Sequence, residues 1–146
     1  DVNADGKADV FWLNTRTGKV TIWQMDGLTI SFVGFPGSTA LDWDIQGVGD
    51  LDGNGTADVL WRQRSSGVVA AWLLMGSTIT SSGFFKGVPA EWTMAQIGDV
   101  DGNGTADVIW HNRISGVVAV WMMNGVGLSS VGYPGKVATE WVLAGH

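Results

Sequence analysis

The chain has 146 residues, is 45% hydrophobic, contains no cysteine and carries a formal charge of −6. That length and composition suit one ordinary domain with a buried core; disulfides and thiolate metal sites are excluded, and the acidity argues against nucleic acid as a partner. No apolar run approaches the roughly 18 residues of a membrane span, and the chain opens inside a repeat, which points to a piece of a longer context whose targeting information is lost.

The first predicted element is a loop, DVNADGKADVFW (1–12), which returns as DLDGNGTADVLW (50–61) and DVDGNGTADVIW (99–110). The tryptophans keep the same 49-residue spacing: Trp12, Trp61 and Trp110; Trp23, Trp72 and Trp121; Trp43, Trp92 and Trp141. Glycines follow it too, as in Gly18, Gly67 and Gly116. Three repeats result, at 1–49, 50–98 and 99–146, and a period of roughly 40 to 50 residues signals a solenoid, a propeller or a similar array.

Within repeat 2 the chain predicts a strand at 57–63, a Ser-Ser-Gly turn, a strand at 68–74, a third at 78–85 and, after Pro89, a fourth at 93–98. These runs are short, rich in strand formers and bounded by turn residues, and none has the 3.6-residue period of an amphipathic helix. Four short strands per unit match a propeller blade. The expected fold is all-β: β-propeller blades, as three tandem four-stranded antiparallel units of 49-residue period. Consecutive apolar positions suit sheets covered on both faces.

The loops carry the chemistry. Asp50, Asp52, Asn54 and Asp58 occupy positions 1, 3, 5 and 9, with Gly55 at position 6, where a sharp turn needs a residue that tolerates unusual φ. Adding the backbone carbonyl of Thr56 at position 7, these oxygens would converge on one hard cation. Calcium accepts about six to eight oxygens, whereas magnesium demands stricter octahedral geometry and keeps its waters. An EF-hand would need Glu at position 12, where Trp61 stands, and flanking helices. Repeat 3 offers Asp99, Asp101, Asn103, Thr105 and Asp107; repeat 1 offers Asp1, Asn3, Asp5, Lys7 and Asp9, with amide and acid exchanged. Nine of the fourteen acids lie in these loops, and three divalent ions would neutralise the formal charge of −6. A metal-free Asp/Asn-Gly turn uses the same residue types, but three carboxylates crowded without a cation repel one another. One structural Ca²⁺ per repeat is the expectation.

These loops, followed by the Ser-Gly turn and a V-x-x-W strand, resemble the FG-GAP/VCBS type of propeller repeat, best known from the calcium-binding blades of the integrin α-subunit head. The resemblance covers all three repeats, although the words Phe-Gly and Gly-Ala-Pro are not present as such. It implies an extracellular binding or adhesion scaffold with a glycan or protein ligand. It also implies that 92–98 is a blade's inner strand, joined by the calcium loop to the next. By that order Asp1 follows a missing inner strand and 141–146 is one with no blade after it. Propellers close with about four to eight blades. The expectation is therefore further blades in a parent chain, or head-to-tail self-association into a ring or fibre.

Other residues have two readings each. The tryptophans suit packing between sheets or stacking of sugars. Asn14, Gln63 and Asn112 suit turn hydrogen bonding or ligand contact. Arg62, Arg64, His111 and Arg113 suit a solvated face or an anion groove. Catalysis has little support: the histidines are His111 and His146, the remaining acids form no evident acid/base pair, and no nucleophile or phosphate-loop motif occurs. The expected function is a non-catalytic recognition module, with a self-assembling structural protein as the alternative.

Overall fold

The computed structural model describes residues 1–143. They form eleven strands in three antiparallel sheets, with no helix and hence none able to cross a membrane. Sheet 1 contains β1 (Val10–Leu13), β2 (Val20–Asp26) and β3 (Thr29–Gly34). Sheet 2 contains β4 (Trp43–Gly49), β5 (Asp58–Gln63), β6 (Val68–Met75) and β7 (Thr78–Gly87). Sheet 3 contains β8 (Trp92–Gly98), β9 (Asp107–Asn112), β10 (Val117–Asn124) and β11 (Gly127–Lys136). Strands follow chain order within each sheet, and none of the sheets closes on itself.

Each sheet is offset from the sequence period. The last strand of one repeat pairs with the first strand of the next: Ile45 faces Trp61 and Met94 faces Trp110. Sheet 1 has three strands, not the predicted four, because the fourth strand of sheets 2 and 3 comes from the preceding repeat. At the other end, Trp141–Leu143 take no strand conformation, and the rest of the strand expected at 141–146, including His146, lies outside the described residues. β4 and β8 are each held by the strand after the following loop, β5 and β9.

Two clusters form the core. Val2, Val20, Ile22, Val59, Trp61 and Leu74 fill the space between sheets 1 and 2. Leu51, Leu60, Val69, Val108, Trp110 and Met123 fill that between sheets 2 and 3. Alternation along β5 sends Val59 and Trp61 to one side and Leu60 to the other, so sheet 2 is covered on both faces. β4 approaches β8 closely: a Cβ on Gly47 or Gly49 would lie 2.6 Å from the Ile97 side chain. Gly67 has a similar role in the turn after β5. Its φ is +71°, a Cβ there would lie 2.2 Å from the Val88 carbonyl oxygen, and the Val88 N–H donates to the Gly67 carbonyl at 2.8 Å. The segment joining sheets 2 and 3 is thereby strapped to the β5–β6 turn, as Thr39 is to Gly18 in the unit before.

Candidate metal centres

The acid-rich loops precede β1, β5 and β9, and their first acid organises the turn. In loop 2, Asp50 accepts the backbone N–H groups of Gly53 (2.7 Å), Asn54 (3.1 Å) and Gly55 (2.8 Å). Asp99 does the same in loop 3, and these donors, the Gly104 N–H foremost, hold its carboxyl below the usual range. Asp1 accepts the Gly6 N–H at 2.7 Å. The position-5 amide accepts the next turn of backbone, with the Thr56 N–H 2.7 Å from Asn54 and the Thr105 N–H 2.7 Å from Asn103.

The ninth-position acid is a clamp. Asp58 is fully buried and accepts the Leu51 N–H within its loop and the Leu74 N–H from β6, both at 2.8 Å. Asp107 holds Val100 (3.1 Å) and Met123 (2.9 Å); Asp9 holds Val2 (2.8 Å) and Met25 (2.9 Å). Burial pushes the Asp58 carboxyl up to about 6; the charges of Asp52 and Asp50 add to this, while the two N–H donors oppose it. Loop 2 is thus arranged so that its carboxylates are ionised together only at a cost.

Carboxylate oxygens of Asp50, Asp52 and Asp58 lie within 4.8 Å of one another, as do those of Asp99, Asp101 and Asp107. With Asn54 or Asn103 beside them, these clusters offer oxygen donors only, the set that a hard divalent cation prefers. Loops 2 and 3 can therefore hold a metal ion. The acids of loop 1 are not gathered to that spacing. Lys7 lies 3.7 Å from Asp5 and 3.2 Å from Asp26, and the Asp26 carboxylate raises the pKa of its ammonium. Ala4 adopts φ 59° where the other loops place Gly53 and Gly102. In loops 2 and 3 the counterpart of Lys7 is a threonine whose hydroxyl lies 2.5 Å from the position-5 amide oxygen and within reach of a carbonyl of the third strand, Leu74 (2.6 Å) or Met123 (3.5 Å), its one hydrogen shared between them.

Residues 1–61, spanning loops 1 and 2, match the family model described as FG-GAP-like repeat. This segment is similar to an FG-GAP-like repeat. The 49-residue period carries the same residue pattern through the rest of the chain. No curated protein and no solved structure matches the chain.

One part of the repeating unit escapes a reading of the sequence. The loop's first two carbonyls bond to the sheet that follows: Asp1 and Val2 accept from Ala57 (2.7 Å) and Gly76 (2.8 Å), and Asp50 and Leu51 accept from Ala106 (2.6 Å) and Gly125 (2.8 Å). The side chains of Val2 and Leu51 are fully buried between the sheets. An apolar residue at position 2 of all three loops (Val2, Leu51, Val100) is the signal that points to this plug.

Of the two-way readings, the amides resolve as turn groups. Asn14 accepts the N–H groups of Arg16 and Thr17, Asn112 those of Ile114 and Ser115, and Gln63 the hydroxyl of Ser66. Arg62 is not on a solvated face. It is half-buried, donates to the carbonyls of Val88 (2.7 Å), Pro89 (2.9 Å) and Trp92 (2.7 Å), and lies 5.6 Å over the Trp110 ring. It ties sheet 2 to the entry of sheet 3. Arg64 is exposed and paired with Asp44 at 2.5 Å.

Proposed function

We propose that the chain is a set of calcium-loaded propeller blades serving as a non-catalytic, extracellular module for recognition of a glycan or protein. The observation that carries this reading is the three-carboxylate cluster, repeated with the same hydrogen-bond pattern in loops 2 and 3. Calcium there would neutralise the crowded acids and pin the loop whose carbonyls hold the next sheet. The ion is structural in this reading: it would bind Asp50, Asp52, Asn54 and Asp58 in one loop and Asp99, Asp101, Asn103 and Asp107 in the next. Loop 1 would bind more weakly, with Lys7 competing for its acids. The close approach of β4 to β8 supports propeller geometry, in which such strands converge on an axis. Millimolar extracellular calcium suits sites of modest affinity. The test is a thermal melt with calcium and with EDTA; identical curves would sink the calcium assignment. Screening glycan and matrix-protein panels tests recognition, and the absence of saturable binding on both would overturn it.

A second reading, assembly with further sheets of the same kind, is favoured by the outer faces. Trp12 is 49% exposed while its counterparts Trp61 and Trp110 are 1% exposed, and Val100 is 49% exposed while Val2 and Leu51 are buried. Each outer face presents residues that are covered inside the array. Native mass by light scattering tests this: a discrete oligomer or a polydisperse species supports self-association, and a monomer counts against it.

A further inference from the structure

Two cavities of about 160 Å³ each lie where a linking segment crosses the face of the next sheet. The first is walled by Trp43, Trp61, Trp72 and Phe84, beneath the segment carrying Thr39. The second is walled by Trp92, Trp110, Trp121 and Tyr133, beneath the segment carrying Val88. Every residue lining the second has its counterpart 49 positions earlier in the first. The straps at Gly18 and Gly67 hold the two covering segments in place. The walls repeat in detail: Trp61 and Trp72 lie 4.8 Å apart at 59°, and Trp110 and Trp121 lie 5.2 Å apart at 57°. At the mouth stands an exposed aromatic, Phe84 (75%) or Tyr133 (68%).

Core packing alone accounts for neither the cavities nor the polar groups in their walls. The indole N–H groups of Trp61 and Trp110 are buried without a hydrogen-bond partner, as is the Thr39 hydroxyl. Ser38, Thr39 and Ser82 at the first cleft and Tyr133 at the second give each a polar margin, so a purely apolar guest fits poorly. No charged side chain lines either cleft, which disfavours an ionic guest, and the net charge of −6 disfavours an anion. The volume lies below the roughly 300–1,000 Å³ of a drug-sized site and suits a single ring. A ring with an apolar C–H face and a rim of hydroxyls meets all of these requirements.

We propose that the two clefts are equivalent binding sites for a neutral pyranose, one sugar residue in each. The proposal rests on the recognition reading above and gives it a site and a ligand class. The sugar's C–H face would lie on an indole, with its hydroxyls toward the polar margin and the open mouth.

The test follows the indole N–H signals of the ¹⁵N-labelled chain in calcium. Methyl glycosides of glucose, galactose, mannose, fucose and N-acetylglucosamine are added at millimolar concentrations. The expected result is a saturable shift of the Trp61 and Trp110 signals with at least one glycoside, while Trp12 on the outer face stays in place. Phe84→Ser should weaken binding roughly tenfold at the first cleft alone, and Tyr133→Ser at the second alone; both side chains are exposed, so the fold should survive. Unmoved Trp61 and Trp110 signals with every glycoside, or shifts indifferent to both substitutions, would overturn the proposal. Saturable binding on the glycan or protein panels with silent clefts would overturn this site while leaving the recognition reading in place.

Discussion

In Asp58→Asn the buried carboxylate between loop 2 and β6 becomes a neutral amide of nearly the same shape. Two effects oppose each other in the metal-free protein. At pH 7 the native carboxylate is ionised although burial raises its pKa from 3.8 to about 6. That difference corresponds to roughly 2–3 kcal/mol of destabilisation. The substitution removes this penalty. Against it, the amide offers one acceptor where Leu51 and Leu74 both donate, and an orphaned buried N–H costs about 1–3 kcal/mol. The metal-free variant should therefore match the parent to within about 1 kcal/mol. If calcium binds as proposed, then at 100-fold over its dissociation constant the parent should gain about 2.7 kcal/mol at this site, which the variant should forgo. The assay is a pair of thermal melts at pH 7, in EDTA and in calcium. At roughly 2–4 °C per kcal/mol for a chain of this size, the calcium-induced rise should shrink by about 5–10 °C in the variant, with little change in EDTA. A variant that keeps the full rise, or that falls equally in both conditions, would refute the assignment of Asp58 as a ligand.

Three other outcomes follow from the same geometry. Leu51→Ala should cost about 2–5 kcal/mol, since the side chain is fully buried between sheets 2 and 3, whereas Val100→Ala should be nearly neutral; chemical denaturation of both variants checks this. Gly67→Ala should destabilise far more than Gly55→Ala, because both residues have positive φ but only Gly67 would press its Cβ on a carbonyl, 2.2 Å from Val88 oxygen; melting temperatures decide. As for pH, between 3.8 and about 6 folded Asp58 keeps a proton that the unfolded chain has released, so its contribution to metal-free stability falls as pH rises through that window. Calcium needs the ionised form, so its affinity for loop 2 should weaken by about tenfold from pH 7 to pH 5, measured by calorimetry; an unchanged affinity would contradict the raised pKa.

The sequence is informative wherever residue type and spacing are set locally. The acids at positions 1, 3 and 9 of loops 2 and 3 gather as their spacing suggests, because a turn of glycines and Asp side chains builds itself from neighbours in the chain. β5 to β8 lie within two residues of their predicted bounds for the same reason. What depends on another unit is not legible. Trp12 and Trp61 are the same residue in the same motif, yet one is half-exposed and the other buried, because only Trp61 has a sheet in front of it. Arg62 reads as a surface charge and instead caps three carbonyls contributed by the next unit's entry. The strand expected at 141–146 is not formed over its described part, Trp141–Leu143. In loop 1, Lys7 and Ala4 were visible in the sequence, but their consequence, acids not drawn to the spacing of the other loops, needed the ion-pair geometry to Asp26.

The backbone bonds that run from each loop to the following sheet bear on how the molecule comes apart. Sheet 1 meets sheet 2, and sheet 2 meets sheet 3, so the array behaves as a row of units joined by nearest-neighbour terms. The loop supplies part of each junction, through Asp1 and Val2 to sheet 2 and through Asp50 and Leu51 to sheet 3. An ion that stiffens the loop strengthens the junction along with the unit that binds it. Calcium should then govern cooperativity: the loaded array melts in one sharp transition, and the stripped array sheds its units in a broad sequence, beginning with the one whose junction is weakest.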